Sequence, residues 1–189
     1  MRPERAGRLM DERETIAACL AGRGEEFRLI VDGYKSQAMA LALNLLGNRQ
    51  DAEDVCQEAF VQVFRHLNRY DPAKSFRTWL MTVLYRRALD VLKRKKRFRA
   101  AFQRVVHDPG QRLSEAFEPP AERRDLARIV QTRLSPKERA AVALWANEGL
   151  TSAEIAEVLG CTASTARVYL FNARRKIKLI LEKRDVGAL

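Results

Sequence analysis

The residues best placed to do chemistry lie in one stretch, ASTARVYLFNARRK, from Ala163 to Lys176. At about 100° per residue, Ser164, Thr165, Val168, Asn172 and Arg175 share one face of a helix, with Arg167, Phe171 and Lys176 on its flanks. Short hydroxyl and amide groups offer donors and acceptors to base edges, and flanking cations grip phosphates. The combination suits a helix lying in a major groove. That chemistry is recognition, with no bond made or broken. An ordinary helical hairpin with a basic exposed side is the alternative, because charge runs are commonly only solvated faces.

The elements that position this face are also written in the sequence. Thr151 can cap a helix, Glu154 completes a capping box with it, and Leu150 can close a hydrophobic staple on Ile155. Ile155, Ala156 and Leu159 give that helix an apolar stripe, Gly160 lets the backbone turn, and Thr162 caps a second helix beginning near Ala163. On the second helix Ala166, Leu170, Ala173, Ile177 and Leu181 recur at three- and four-residue spacing and predict its buried side. Upstream, Ser135, Pro136 and Glu138 form another capping box, predicting a helix to about Asn147 that packs under this helix-turn-helix. Helical pattern resumes at Ala121, with Leu126, Ile129 and Val130, so residues 121–184 read as one small helical domain.

Two further faces carry functional groups. Asp51 is expected to cap DAEDVCQEAFVQVFRHL, whose Val55, Cys56, Ala59, Phe60, Val63 and Leu67 form an apolar stripe. Its other side presents Asp54, Gln57, Glu58, Val61 and Arg65, an acidic and amide-bearing strip that is either a solvated face or a docking strip for a charged protein partner. A loop around Asp71 and Pro72, with Lys74, Ser75 and Phe76 at its end, leads into a long helix. Leu80, Leu84, Ala88 and Val91 supply its buried stripe, while Trp79, Thr82, Arg86, Asp90 and Lys93 fall opposite. An aromatic among cations suits unpaired bases, since stacking contributes about 1–3 kcal/mol per base. Trp79 turned inward to the core is the alternative, and Asp90 is expected to pair with Arg86. Before this helix, Asp11 to Ala21 predicts a short helix. Glu25 to Leu46 predicts a longer one, with Phe27, Ile30, Tyr34, Ala38, Leu41 and Leu45 inward and Gly47 as its stop.

Composition narrows the partners. The 189 residues are 47% hydrophobic and only 7% aromatic, rich in helix formers and without a convincing strand pattern, which predicts an all-α protein. Its formal charge of +11 predicts attraction to a polyanion, nucleic acid before an anionic membrane surface. Six of the seven residues from Lys93 to Arg99 are basic, and Pro109, Gly110, Pro119 and Pro120 punctuate a linker over 100–120 between two helical domains, the first spanning 1–99. No apolar run approaches the roughly 20 residues of a membrane span, and MRPERAGRLMDERE lacks a signal-peptide core, so a cytoplasmic protein is expected. Cys19, Cys56 and Cys161 have no ligand-spaced His, and Asp51, Glu53 and Asp54 sit at a helix start without a Gly-rich loop. No metal, cofactor or catalytic residue is expected, which weighs against a recombinase or nuclease.

The order of these features resembles a bacterial alternative sigma factor of the extracytoplasmic-function group, over nearly the whole chain. DAEDVCQEAFVQVFRHL resembles the region 2 helix that docks on the largest polymerase subunit, with Asp54, Gln57 and Glu58 at matching positions. SFRTWL resembles the promoter-melting segment, and LSPKERAAVAL with TSAEIAEVLGCTASTARVYLFNARRKI resembles region 4, which binds the minus-thirty-five element. The resemblance implies core RNA polymerase and promoter DNA as partners, an anti-sigma protein as restraint, and transcription initiation as the function. It also exposes departures: Arg86 stands where the family usually has Asn, Val168 replaces a small polar residue and Asn172 replaces an Arg. A helix-turn-helix regulator acting without polymerase, and an atypical sigma factor with conditional activity, are the competing readings.

Overall fold

The computed structural model describes residues 4–105 and 131–186, with side chains placed for 12–98, 100 and 131–182. All regular elements among them are helical. The chain forms α1 (Glu4–Leu20), α2 (Phe27–Leu46), α3 (Arg49–Arg65) and α4 (Phe76–Val105), then α5 (Pro136–Glu148), α6 (Ser152–Leu159) and α7 (Ala163–Val186). Single 3₁₀ turns stand at Gly24–Glu26 and Leu67–Arg69. The linker from residue 106 and the helical pattern expected over 121–130 lie outside the described residues, while residues 131–133 are helical.

The starts and stops of these helices follow local chemistry. Both expected capping boxes form: Ser135 and Thr151 each accept from the backbone of the Glu three residues on, and each Glu reaches back. Gly47 and Gly160, at φ 69° and 64°, end α2 and α6 in the left-handed region that glycine enters at little cost. Three expectations are corrected. Asn48, not Asp51, caps α3, its side chain accepting from Asp51 N–H at 2.9 Å; the Asp51 carboxylate instead meets Lys95 on α4. Asp90 pairs with Lys93 at 3.7 Å rather than with Arg86, the i,i+3 cation being the one in reach. α1 begins seven residues before Asp11, and α4 runs to Val105, past the boundary at 99.

In the first block, α2, α3 and α4 pack on one another through the expected stripes. Ala38, Leu45, Val63, Leu80 and Leu84 are fully buried, so truncating either leucine of α4 to Ala would cost about 2–5 kcal/mol. Arg87 Nε donates to Gln62 Oε1 at 2.6 Å, bracing α4 on α3. In the second block α5 lies under α6 and α7, whose Ile155, Ala166 and Ala173 are fully buried. The blocks also pack directly on each other, α2 on α5 and α4 on α6, and their buried side chains form one continuous core. Gln131 Nε2 donates to Leu43 O at 3.0 Å, which also accepts from Gly47 N–H, and to Asn44 O at 2.8 Å, in the last turn of α2. A Cβ at Gly47 would lie 2.9 Å from the Gln131 side chain, so glycine permits this approach as well as the turn. Arg77 Nη1 donates to Glu148 O at 3.0 Å across the same seam.

Candidate nucleic-acid and polymerase interfaces

The reading face of α7 is set by its start. Thr165 N–H donates to Thr162 Oγ1 at 3.1 Å and the two hydroxyls lie 2.8 Å apart, fixing the first turn. With Ala166, Leu170 and Ala173 buried, Ser164, Arg167, Val168, Phe171 and Arg175 are exposed, and Thr165 and Asn172 are half-buried beside them. Phe171 is 64% exposed and Val168 51%, so two apolar groups stand on a surface otherwise polar and cationic. Ile177 and Leu181 do not join the core as the spacing predicted. With Val142 and Trp145 of α5 they instead line an open groove of about 440 Å³.

Three cationic contacts hold α7 on α5. The Arg174 guanidinium stacks on Trp145 at 3.9 Å, Lys137 lies 5.6 Å from the Tyr169 ring, and Lys176 Nζ donates to both carboxylate oxygens of Glu138 at 2.8 Å. Glu138 is buried, and burial by itself would raise its carboxyl; the bonds from Lys176 and from Ser135, with the ammonium charge, outweigh it and hold the group below its ordinary value. Lys176, expected among the DNA contacts, is exposed on the flank of α7 and is also engaged by an acid of the scaffold. Nothing in the sequence spacing marks that pair, whose members are 38 residues apart.

The second surface is built around the loop before α4. Tyr70 meets Phe76 edge-on at 5.2 Å and Trp79 at 5.4 Å, while Tyr34 packs on Phe76 from α2 at 5.8 Å. Phe76 is 1% exposed, which corrects the expectation that it touches DNA; it anchors the loop from beneath. Trp79 combines both of its expected positions, half-buried on the cluster with part of its surface free. Ser75 Oγ accepts from Thr78 N–H at 3.3 Å and caps α4, and Tyr70 Oη donates to Lys74 O at 2.6 Å. Thr82 spends its hydroxyl on Thr78 O at 2.7 Å, whereas Lys74, Arg86 and Lys93 are exposed.

The third surface is the strip on α3, where Asp54, Gln57, Glu58, Val61 and Arg65 are all exposed. Asp51, Asp54, Gln57 and Glu58 border a shallow cavity of about 170 Å³ whose far wall is Val91 and Arg94 of α4. An acidic edge thus runs beside the basic end of α4. Cys56, behind the strip, is buried and has its thiol pushed up to about 12, chiefly by burial and then by Glu53.

Fold and surfaces together define a two-block helical protein with a helix-turn-helix in one block and a separate aromatic and cationic face on the other. The chain matches the family models "Sigma-70 region 2" over residues 30–98 and "Sigma-70, region 4" over residues 132–177. It is 32% identical over 160 residues to the ECF RNA polymerase sigma factor SigE of Mycolicibacterium smegmatis, a match spanning 82% of this chain and 61% of that one. Among solved structures it resembles CnrH in complex with the cytosolic domain of CnrY, with TM-score 0.68, 23% identity and coverage of 92% and 98% of the two chains. It also resembles the sigma factor RpoE of Bartonella quintana in complex with the anti-sigma factor NepR, with TM-score 0.67, 20% identity and coverage of 84% and 98%. At those identities the structures speak to the fold. The chain belongs to the sigma-70 family, in its extracytoplasmic-function group. Such proteins are regulatory subunits, and no described helix is long and apolar enough to cross a membrane.

Proposed function

We propose that the protein is an alternative sigma subunit that binds core RNA polymerase and carries it to promoters read at two elements. The region 2 domain runs to the end of α4 at Val105, the linker follows it, and residues 121–184 form the region 4 domain. Asp54, Gln57, Glu58, Val61 and Arg65 dock on the polymerase. Lys74, the free part of Trp79, Arg86 and Lys93 hold the separated strand at the minus-ten element. Ser164, Thr165, Arg167, Val168, Phe171, Asn172 and Arg175 read the minus-thirty-five element, with Val168 and Phe171 suited to thymine methyl groups. An anti-sigma protein, of the kind bound to the Bartonella relative, restrains it.

The observation that carries this reading is the separation of the three faces. A stand-alone regulator needs the α7 face alone, and has no use for an acidic docking strip or for an aromatic and cationic face aimed at unpaired bases. Glu58→Lys tests it: affinity for core polymerase should fall at least tenfold with helical content unchanged, and run-off transcription should fall with it. Unchanged core affinity would return the strip to a solvated face.

A further inference from the structure

α1 lies before residue 30, where the match to region 2 begins, yet it is fastened to the aromatic face at the start of α4. Thr15, Ile16 and Ala18 are buried, and α1 packs on α2 and on the 3₁₀ turn Leu67–Arg69, which leads into the loop before α4. One side chain carries the contact further. The half-buried Glu12 carboxylate accepts from the hydroxyl of Tyr34 on α2, 22 residues away. A bond from a phenol to a carboxylate is charge-assisted and stronger than one between neutral groups. The Tyr34 ring packs on Phe76, and Phe76 meets both half-buried aromatics of the face, Tyr70 at 5.2 Å and Trp79 at 5.7 Å. Glu12 also lies near the second phenol: burial first, and then the Glu12 charge, push the Tyr70 hydroxyl above its ordinary value.

The loop itself is shaped by short-range bonds. Tyr70 Oη donates to Lys74 O at 2.6 Å, Ala73 N–H to Asp71 Oδ1 at 3.0 Å and Lys74 N–H to Asp71 O at 3.0 Å. Those bonds leave the rings beneath the loop to be set by their own packing, and Phe76, 1% exposed, is the ring on which the others converge. A surface that takes up a stacked base gains affinity when its side chains are already in place, because ordering them on binding costs entropy. The line Glu12, Tyr34, Phe76 runs from α1 to the two rings a base would meet.

We propose that α1 is a strut for the strand-holding face and that Glu12 is its positioning residue, acting through Tyr34 and Phe76 on Tyr70 and Trp79. The strut rests on the sigma reading above, since it needs Trp79 to meet the separated strand.

The test uses the full chain with saturating core polymerase on a two-element promoter, reading open complexes by permanganate reactivity of unpaired thymines. Tyr34→Phe removes the hydroxyl and keeps the ring, Glu12→Leu removes the acceptor, and Glu12→Gln keeps an acceptor without the charge. Tyr34→Phe and Glu12→Leu should lower open-complex yield several-fold, with helical content, core affinity and binding to a minus-thirty-five duplex unchanged. Glu12→Gln should restore most of the yield. On a promoter opened beforehand by mismatches across the minus-ten element, the first two variants should release the strand several-fold faster, which a purely structural role would not bring about. Wild-type yields in both would overturn the strut. So would a loss matched by an equal fall in core affinity, which would make the bond general scaffold. Trp79→Ala separates the strut from the reading it rests on. If Trp79→Ala lowers the yield and Tyr34→Phe does not, the strut alone fails; an unchanged yield in Trp79→Ala would overturn the strand-holding face and the strut with it.

Discussion

Replacing Lys176 with alanine should destabilise the helix-turn-helix block while leaving the salt dependence of DNA binding unchanged. Its ammonium lies 2.8 Å from both oxygens of a carboxylate that is 6% exposed, and the same carboxylate closes the α5 capping box on Ser135 N–H at 2.7 Å. A hydrogen bond to a charged group contributes about 1.5–3 kcal/mol. The lysine side chain is 45% exposed, so solvent screening discounts that to roughly 1 kcal/mol. Leaving the buried carboxylate short of one partner adds about 1 kcal/mol more. The total of about 2 kcal/mol corresponds to a fall in Tm of about 4–8 °C for a chain of this size. Thermal melts of Lys176→Ala, Glu138→Ala and the double variant should give a coupling energy of about 1 kcal/mol. Because the Glu138 carboxyl is held below its ordinary value of 4.5, its contribution is present above that pH and is lost as pH falls through the lowered value. Binding to a minus-thirty-five duplex across salt concentrations supplies the other arm. A phosphate contact removed would flatten the log–log slope by about 0.9, and a strut removed would not. A Tm within about 1 °C of wild type, together with a slope flattened by that amount, would refute the assignment and return Lys176 to the DNA.

Asn172→Ala should change which upstream sequences are preferred, with about 1–3 kcal/mol lost on sites whose base the amide reads; an equal loss on all sequences in a binding selection would make Asn172 a packing residue. Arg86→Asn should sharpen discrimination at the downstream element and weaken the dependence of open-complex formation on salt, since Asn offers a donor and an acceptor where Arg offers charge. Permanganate reactivity of unpaired thymines at two salt concentrations reads both effects. Burial pushes the Glu148 carboxyl above its ordinary 4.5, with Arg77 opposing in part and Glu154 beyond it on α6. The folded chain therefore binds that proton more tightly than the unfolded one, and its advantage, full below about 4.5, falls as pH rises through the raised value and then levels off. Thermal melts should show stability falling over that range, and Glu148→Gln should remove this part of the dependence.

Local chemistry was legible in the sequence where donor and acceptor are close along the chain. The boxes Ser135–Glu138 and Thr151–Glu154, the Gly160 turn and the Thr162 cap are all decided within four residues, and each formed as its spacing implied. Choices that depend on distant partners were not. Asp51 and Asn48 are both competent caps, and what diverts the Asp51 carboxylate is Lys95, 44 residues away. Ile177 and Leu181 continue the apolar period of α7, but period says nothing about whether a neighbouring helix closes over them, and against Val142 and Trp145 of α5 they line an open groove. Phe76 sits in a loop-end sequence that reads as surface, and only the convergence of Tyr34, Tyr70 and Trp79 on it creates a buried site.

The second stripe of α4, Arg77, Met81 and Tyr85, shows the same limit. Arg77, Met81 and Tyr85 flank the first stripe, so a pattern reading merges them into one broad apolar side and leaves no surplus to explain. The surplus appears only when the residues facing them prove to lie beyond the linker. With the two blocks packed together Arg167, Val168, Phe171 and Arg175 stay exposed, as do Lys74, Arg86 and Lys93, so each block should bind its own element singly; loss of single-element binding in the intact chain would mean that one block masks the reading face of the other.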